Sequence, residues 1–268
     1  YGEILFPGKV KEEIMFSSYT CHPSMANNEC SGPSLITELA KYIALMRDRY
    51  YSYRLVLAPE TIGAITYISK NLKELKERVI AAFNLTCVGD DRTYSIVHSR
   101  YADTLADKVL DNVLKYHYPD HKSYSYIDRG SDERQYQAPG VDIPMVCFCR
   151  SKYHVYPEYH TSADNLSIIS PQGLQGAFDV MVKCIRSLEN NRTFLIQTLG
   201  EPQLGERGLV PTMSSKETYQ QTLALKDLIA YADGKNDLID ISNIIGHPVE
   251  VLIPLAEQLL EVGLFVTV

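Results

Sequence analysis

Short apolar runs rich in β-branched and aromatic residues alternate with longer amphipathic stretches through about the first 190 residues. Residues 13–18, 53–57, 79–85 and 145–149 read as buried strands, because each is a brief apolar run bounded by turn residues. Leu35, Leu39, Ile43 and Met46 recur at helical spacing behind Ser31-Gly32-Pro33, where proline suits a first helical turn. Residues 62–69, with a further turn or two over 72–78, and residues 105–116 and 171–188 supply the other helices. Residues 3–6 read as a short strand and residues 94–99 as an edge strand. The alternation predicts an α/β domain with a mixed, mostly parallel sheet sandwiched by helices.

Residues 197–215 hold two prolines and three glycines with few apolar anchors, which breaks the pattern. The division read from this is an α/β domain over 1–200, a linker over 201–222 and a small winged-helix-like domain over 223–268. That last segment carries two lysines, Lys226 and Lys235, against seven acidic residues. With a net charge of −7 for the whole chain, this argues against a nucleic-acid partner, since phosphates repel an acidic face. Packing, homo-oligomer formation or a protein partner is the expected role of the module. No apolar run reaches the roughly 18 residues of a membrane span, so no membrane partner is expected. The six cysteines fit neither a disulfide framework nor a paired zinc knuckle, which suits a reducing, cytoplasmic compartment. The chain opens on Tyr1, so further sequence is expected upstream.

In open α/β sheets ligands gather beyond the carboxyl ends of the strands. His22 and Asn28 follow the run at 13–18, Glu60 follows 53–57 and Thr86 follows 79–85. Asp132 and Glu133 precede the run at 145–149, and His160 and Asp164 follow it. Two histidines with several carboxylates at one sheet edge suit a zinc site, with a carboxylate such as Glu60 as proton acceptor. Each has a plainer reading: a loop hydrogen bond for either histidine, a turn for Asn28, a helix cap for Asp132 or Asp164.

The ordered motifs resemble the co-catalytic zinc aminopeptidases. They are Cys21-His22-Pro23-Ser24 with Asn27-Asn28-Glu29-Cys30-Ser31-Gly32, then Pro59-Glu60-Thr61-Ile62-Gly63, Asn84-Leu85-Thr86, Gly130-Ser131-Asp132 and Tyr159-His160-Thr161-Ser162-Ala163-Asp164. The chain is similar along its whole length to an uncharacterised branch of aminopeptidase-like proteins with a C-terminal winged helix, some connected with polysaccharide biosynthesis. The resemblance implies a phosphorylase/zinc-exopeptidase-like fold and a metal-dependent amide hydrolase acting on a peptide or small molecule. It places His22, Asn28, Asp132 and His160 at the metal and Glu60 as general base. Thr61, Thr86, Glu133 and Asp164 would line the pocket. Asn28 and Thr86 stand where the family has aspartates, and Thr61 where it has a glutamate, unless a one-residue slip makes Glu60 that ligand. Such a degenerate site has lost anionic ligands that offset repulsion between two dications. A single zinc ion is therefore expected ahead of two, with a metal-free pocket left open. The alternative is a non-catalytic pseudo-peptidase that binds a small ligand or partner.

Overall fold

The sheet of the first unit contains β1 (Gly2–Phe6), β2 (Glu13–Tyr19), β3 (Ser52–Ala58), β4 (Val79–Leu85), β5 (Ser95–Val97), β6 (Lys122–Tyr124) and β7 (Met145–Cys149). The computed structural model describes residues 1–209 and 221–268, and the backbone of 216–220. Strand order is β1-β3-β2-β4-β7-β5-β6. The central strands β3, β2, β4 and β7 run parallel, while β1 and β5 pair antiparallel with β3 and β7. The helices are α1 (Ser31–Leu45), α2 (Ile62–Arg78), α3 (Leu105–His117), α4 (Glu133–Tyr136) and α5 (Pro171–Glu189). Residues 62–78 form one continuous helix, with no break before Leu72.

Side chains alternate across each strand, so one face of the sheet presents Met15, Val56, Ala82 and Met145. These pack with Ala64, Tyr67 and Ile68 of α2 and with Tyr136 of α4. On the opposite parity, Phe16 and Phe83 stack at 5.3 Å. The connection β2–α1–β3 steps one way along the sheet, and β3–α2–β4 steps back past β2. Right-handed crossovers then put α1 and α2 on opposite faces and open a crevice at the carboxyl ends of β2 and β4.

The strand read at the sheet edge from residues 94–99 is interior. β6 pairs with it in parallel and forms the edge. Only three residues long and mostly polar, β6 gives no apolar run to detect.

The chain divides into two compact units, Tyr1–Ile185 and Arg186–Val268. In the second, β8 (Thr193–Ile196) is the central strand of an antiparallel sheet, between β9 (Asp233–Asp237) and β10 (Phe265–Thr267). With α6 (Lys216–Tyr231), α7 (Leu238–Ile245) and α8 (Val249–Glu261) this has a winged-helix outline. The break read at residue 200 thus falls earlier, because β8 supplies the strand on which the small sheet is built. Phe194 and Phe265 stack across it at 5.5 Å. Of the linker read at 201–222, residues 216–222 lie in α6 and 210–215 fall outside the described residues. Among the described residues no single helix is long and apolar enough to cross a membrane. The helices α7 and α8 are long and apolar enough only when taken together, and that pair is bent by 119°.

Candidate metal and catalytic site

Beyond the end of β2 the chain turns through Cys21 and His22 and enters a single π turn, Ala26–Cys30, before α1. Such wide turns are rare and recur at functional sites. Asp164 anchors it: its carboxylate, 1% exposed, accepts the amide hydrogens of Asn27 and Asn28 at 2.7 and 3.1 Å and the Tyr156 hydroxyl at 2.9 Å. The turn directs Glu29 toward His22. The buried Glu29 carboxylate meets His22 Nδ1 at 2.7 Å and accepts from the Cys21 amide at 2.8 Å and from Asn28 Nδ2 at 3.1 Å. The rings of His22 and His160 lie 5.0 Å apart. Potential ligand atoms of Cys21, His22 and Glu29 all fall within 4.8 Å of one another.

Glu60 follows β3 on the same rim. Burial raises its pKa, and the nearby Glu29 charge adds to that, against the lowering effect of Arg134 and His22. Burial likewise pushes Asp132 up to about 7, although the Thr61 amide donates to it at 2.7 Å. The Cys21 thiol is raised by burial and by the charges of Glu29, Glu60 and Asp132. Burial and neighbouring acidic charges thus raise Glu60, Asp132 and Cys21 together, a charge imbalance that a cation would relieve. The backbone around them is strained: Thr61, Cys87, His154 and His160 all have positive φ, between 51 and 64°. Non-glycine residues pay for that region sterically and hold it mainly at functional sites.

The nine residues singled out from sequence have distinct placements. His22, His160 and Glu60 converge with Glu29, which the sequence reading did not select. Asn28 keeps its side-chain oxygen within reach of the Tyr19 hydroxyl at 3.4 Å and the Cys87 thiol at 3.7 Å. Thr86 bonds the Tyr19 hydroxyl at 2.5 Å and donates to the Asn28 carbonyl at 3.1 Å. Thr86 is buried in neutral hydrogen bonds, and the buried Asn28 amide is shared between these and the Glu29 carboxylate. Asp132 holds the Thr61 amide, and Arg134 Nη2 donates to the Thr61 hydroxyl at 2.9 Å. Glu133, fully buried, accepts from Tyr153 at 2.6 Å and from the amides of Gly130 and Ser131, and braces the loop. The Cys21 thiol, the His22 imidazole and the Glu29 carboxylate offer ligand atoms of the kinds that hold zinc, with the His160 ring beside them. Asn28 and Thr86 are neutral and already engaged, so neither adds an anionic ligand.

A family model described as a domain of unknown function, DUF4910, matches residues 1–191. The chain belongs to the DUF4910 family. A second model, a winged helix-turn-helix, matches residues 192–267. A protein of Clostridium acetobutylicum, provisionally described as a polysaccharide biosynthesis protein with an aminopeptidase-like domain, is 38% identical over 90% of the DUF4910 chain and 56% of its own length. A crystal structure from Clostridium acetobutylicum, provisionally described as a peptidase, superposes with a TM-score of 0.90 at 36% identity, over 99% of this chain and 60% of that one. The chain therefore spans somewhat over half the length of these relatives. The zinc aminopeptidase of Bacillus subtilis shares the fold, with a TM-score of 0.57 at 21% identity over 69% of this chain and 49% of that one. The first unit is thus an aminopeptidase-like α/β domain, and the second a winged helix.

Proposed function

We propose that this chain carries a single-metal amide hydrolase site of the aminopeptidase type, with zinc held by His22, Glu29 and His160. The observation that carries the reading is the cluster of Cys21, His22 and Glu29 ligand atoms, with the His160 ring 5.0 Å from His22 and Glu60 on the same rim, at the crevice where the strand order reverses. Zinc bound there would supply Lewis acidity to an amide carbonyl and lower the pKa of water. Glu60, with its pKa raised by burial, takes the proton of the attacking water and returns it to the departing amine. Asp132 and Arg134 hold Thr61 in its strained, positive-φ conformation and so aim the preceding Glu60. The substrate is a peptide or another small molecule bearing an amide.

The test is hydrolysis of leucine p-nitroanilide by protein stripped of metal and reloaded with zinc. Glu60→Gln lowers kcat by about 10²–10⁴-fold while zinc still binds. Equal activity in that variant removes Glu60 from the chemistry. The neutral, engaged Asn28 and Thr86 favour a second reading, a pseudo-peptidase that binds ligands without turnover. Zinc binding without hydrolysis of any aminoacyl amide would select it.

A further inference from the structure

A cavity of about 490 Å³ opens between the loop after β4, the turn joining α3 to β6, and Arg150 at the end of β7. None of its lining residues belongs to the metal site above. Arg150 is only 3% exposed, yet no carboxylate pairs with it among the described residues. Its Nε donates to the Thr93 carbonyl at 2.6 Å and Nη1 to the Gly173 carbonyl at 3.1 Å, while Nη2 has no hydrogen-bond partner there. The guanidinium lies 3.8 Å over the Tyr94 ring. The fold makes room for this: a Cβ on Gly176 would come within 2.4 Å of Tyr94 Oη and 2.6 Å of Arg150 Nη1. A buried guanidinium without a counter-charge is costly, and an anion reaching it would remove that cost.

The rest of the cavity agrees. Lys122 and His121 stand on its wall, and the Tyr94 and Tyr118 rings, 4.0 Å apart, give it an aromatic side. Arg92 is already matched by a two-pronged pair to Glu158 at 2.8 Å. Of the lining acids, Asp91 accepts from Ser170 at 3.1 Å. Asp120 is the other, so Arg150 and Lys122 face two acids, and what sets Arg150 apart is its burial without an ion-pair partner among the described residues. The volume lies within the roughly 300–1,000 Å³ of small-molecule sites and far exceeds a bare ion. We propose that this cavity binds a small organic oxyanion, a phosphate monoester or carboxylate on a flat ring, with Arg150 holding the oxygens and Tyr118 packing the ring.

The experiment is isothermal titration of the full chain, in chelator so that the metal site takes no part, with phenyl phosphate, benzoate and phenol. One-to-one binding of phenyl phosphate or benzoate, weakening with salt, with phenol silent, is the expected result. The two anions distinguish a phosphate from a carboxylate preference. Lys122→Ala, on an exposed strand, should weaken binding about tenfold, and Arg150→Gln should abolish it. Should Arg150→Gln fail to fold, Lys122→Ala and His121→Ala decide. Silence of both anions, or equal affinity in the variants that fold, overturns the proposal.

Discussion

Glu29 serves three neighbours at once, the Cys21 amide with one oxygen and His22 Nδ1 and Asn28 Nδ2 with the other. As a ligand, or as the partner that fixes the His22 ring, its loss loosens the same centre. Partners of this kind typically change metal affinity by about 10–100-fold. Glu29→Ala should therefore weaken zinc at least that much in a competition titration against a chromophoric chelator. Unchanged affinity would remove Glu29 from the site. His22 and His160 were legible in sequence because histidine is scarce and each lies in a distinctive polar string. Glu29 was not, because only the wide π turn swings it toward His22. At Asn28 and Thr86 the sequence showed the loss of charge; it could not show that Tyr19 ties the two together.

At the amino end of the central strands, β3 and β2 are clamped by charge. Arg54 Nε and Nη2 meet Glu13 at 2.5 and 3.0 Å, both side chains nearly buried, and Arg54 also reaches Glu3, Glu74 and Tyr67. Arg54→Met would leave Glu13 buried with only the longer contact to Arg78, at 3.4 Å. Breaking a buried pair costs about 3–5 kcal/mol, which urea unfolding of the variant would read directly. A loss below about 1 kcal/mol would mean that Arg78 takes over. On the far side, His98 joins Asp107 of α3 at 3.1 Å to Ser123 of β6 at 2.8 Å. The Asp107 bond raises the His98 pKa against the opposing effect of burial. A raised folded-state value contributes stability that is fully present below about 6.5, the unfolded value, and is lost as pH rises through the folded value. Thermal scans across that window should show this decline in the native chain and its absence in His98→Asn. Parallel profiles would exclude His98 as its source.

At the scale of the whole molecule, the α/β architecture was readable because strand and helix periods alternate cleanly through the first unit. The break near residue 200 misled because prolines and glycines mark irregular backbone, not the point where contacts change partners. β8 is four residues long and follows α5 closely, so only its pairing with β9 and β10 reveals its allegiance. The second unit, Arg186–Val268, has the outline of a DNA reader and the charge of something else: six basic against eleven acidic side chains. One of the few lysines, Lys226, lies 3.3 Å from Glu201. Non-specific DNA binding rests on cations that displace counterions from phosphate, typically with Kd of about 10⁻⁴–10⁻⁶ M at physiological salt. An acidic unit forgoes that term, and a winged helix does not by itself bring DNA binding. The full chain should therefore leave the mobility of random duplex DNA unchanged at protein concentrations of about 10⁻⁵ M, even at low salt. A retarded band that fades as salt is added would show that a local basic patch outweighs the net charge, and would return this module to the nucleic-acid binders.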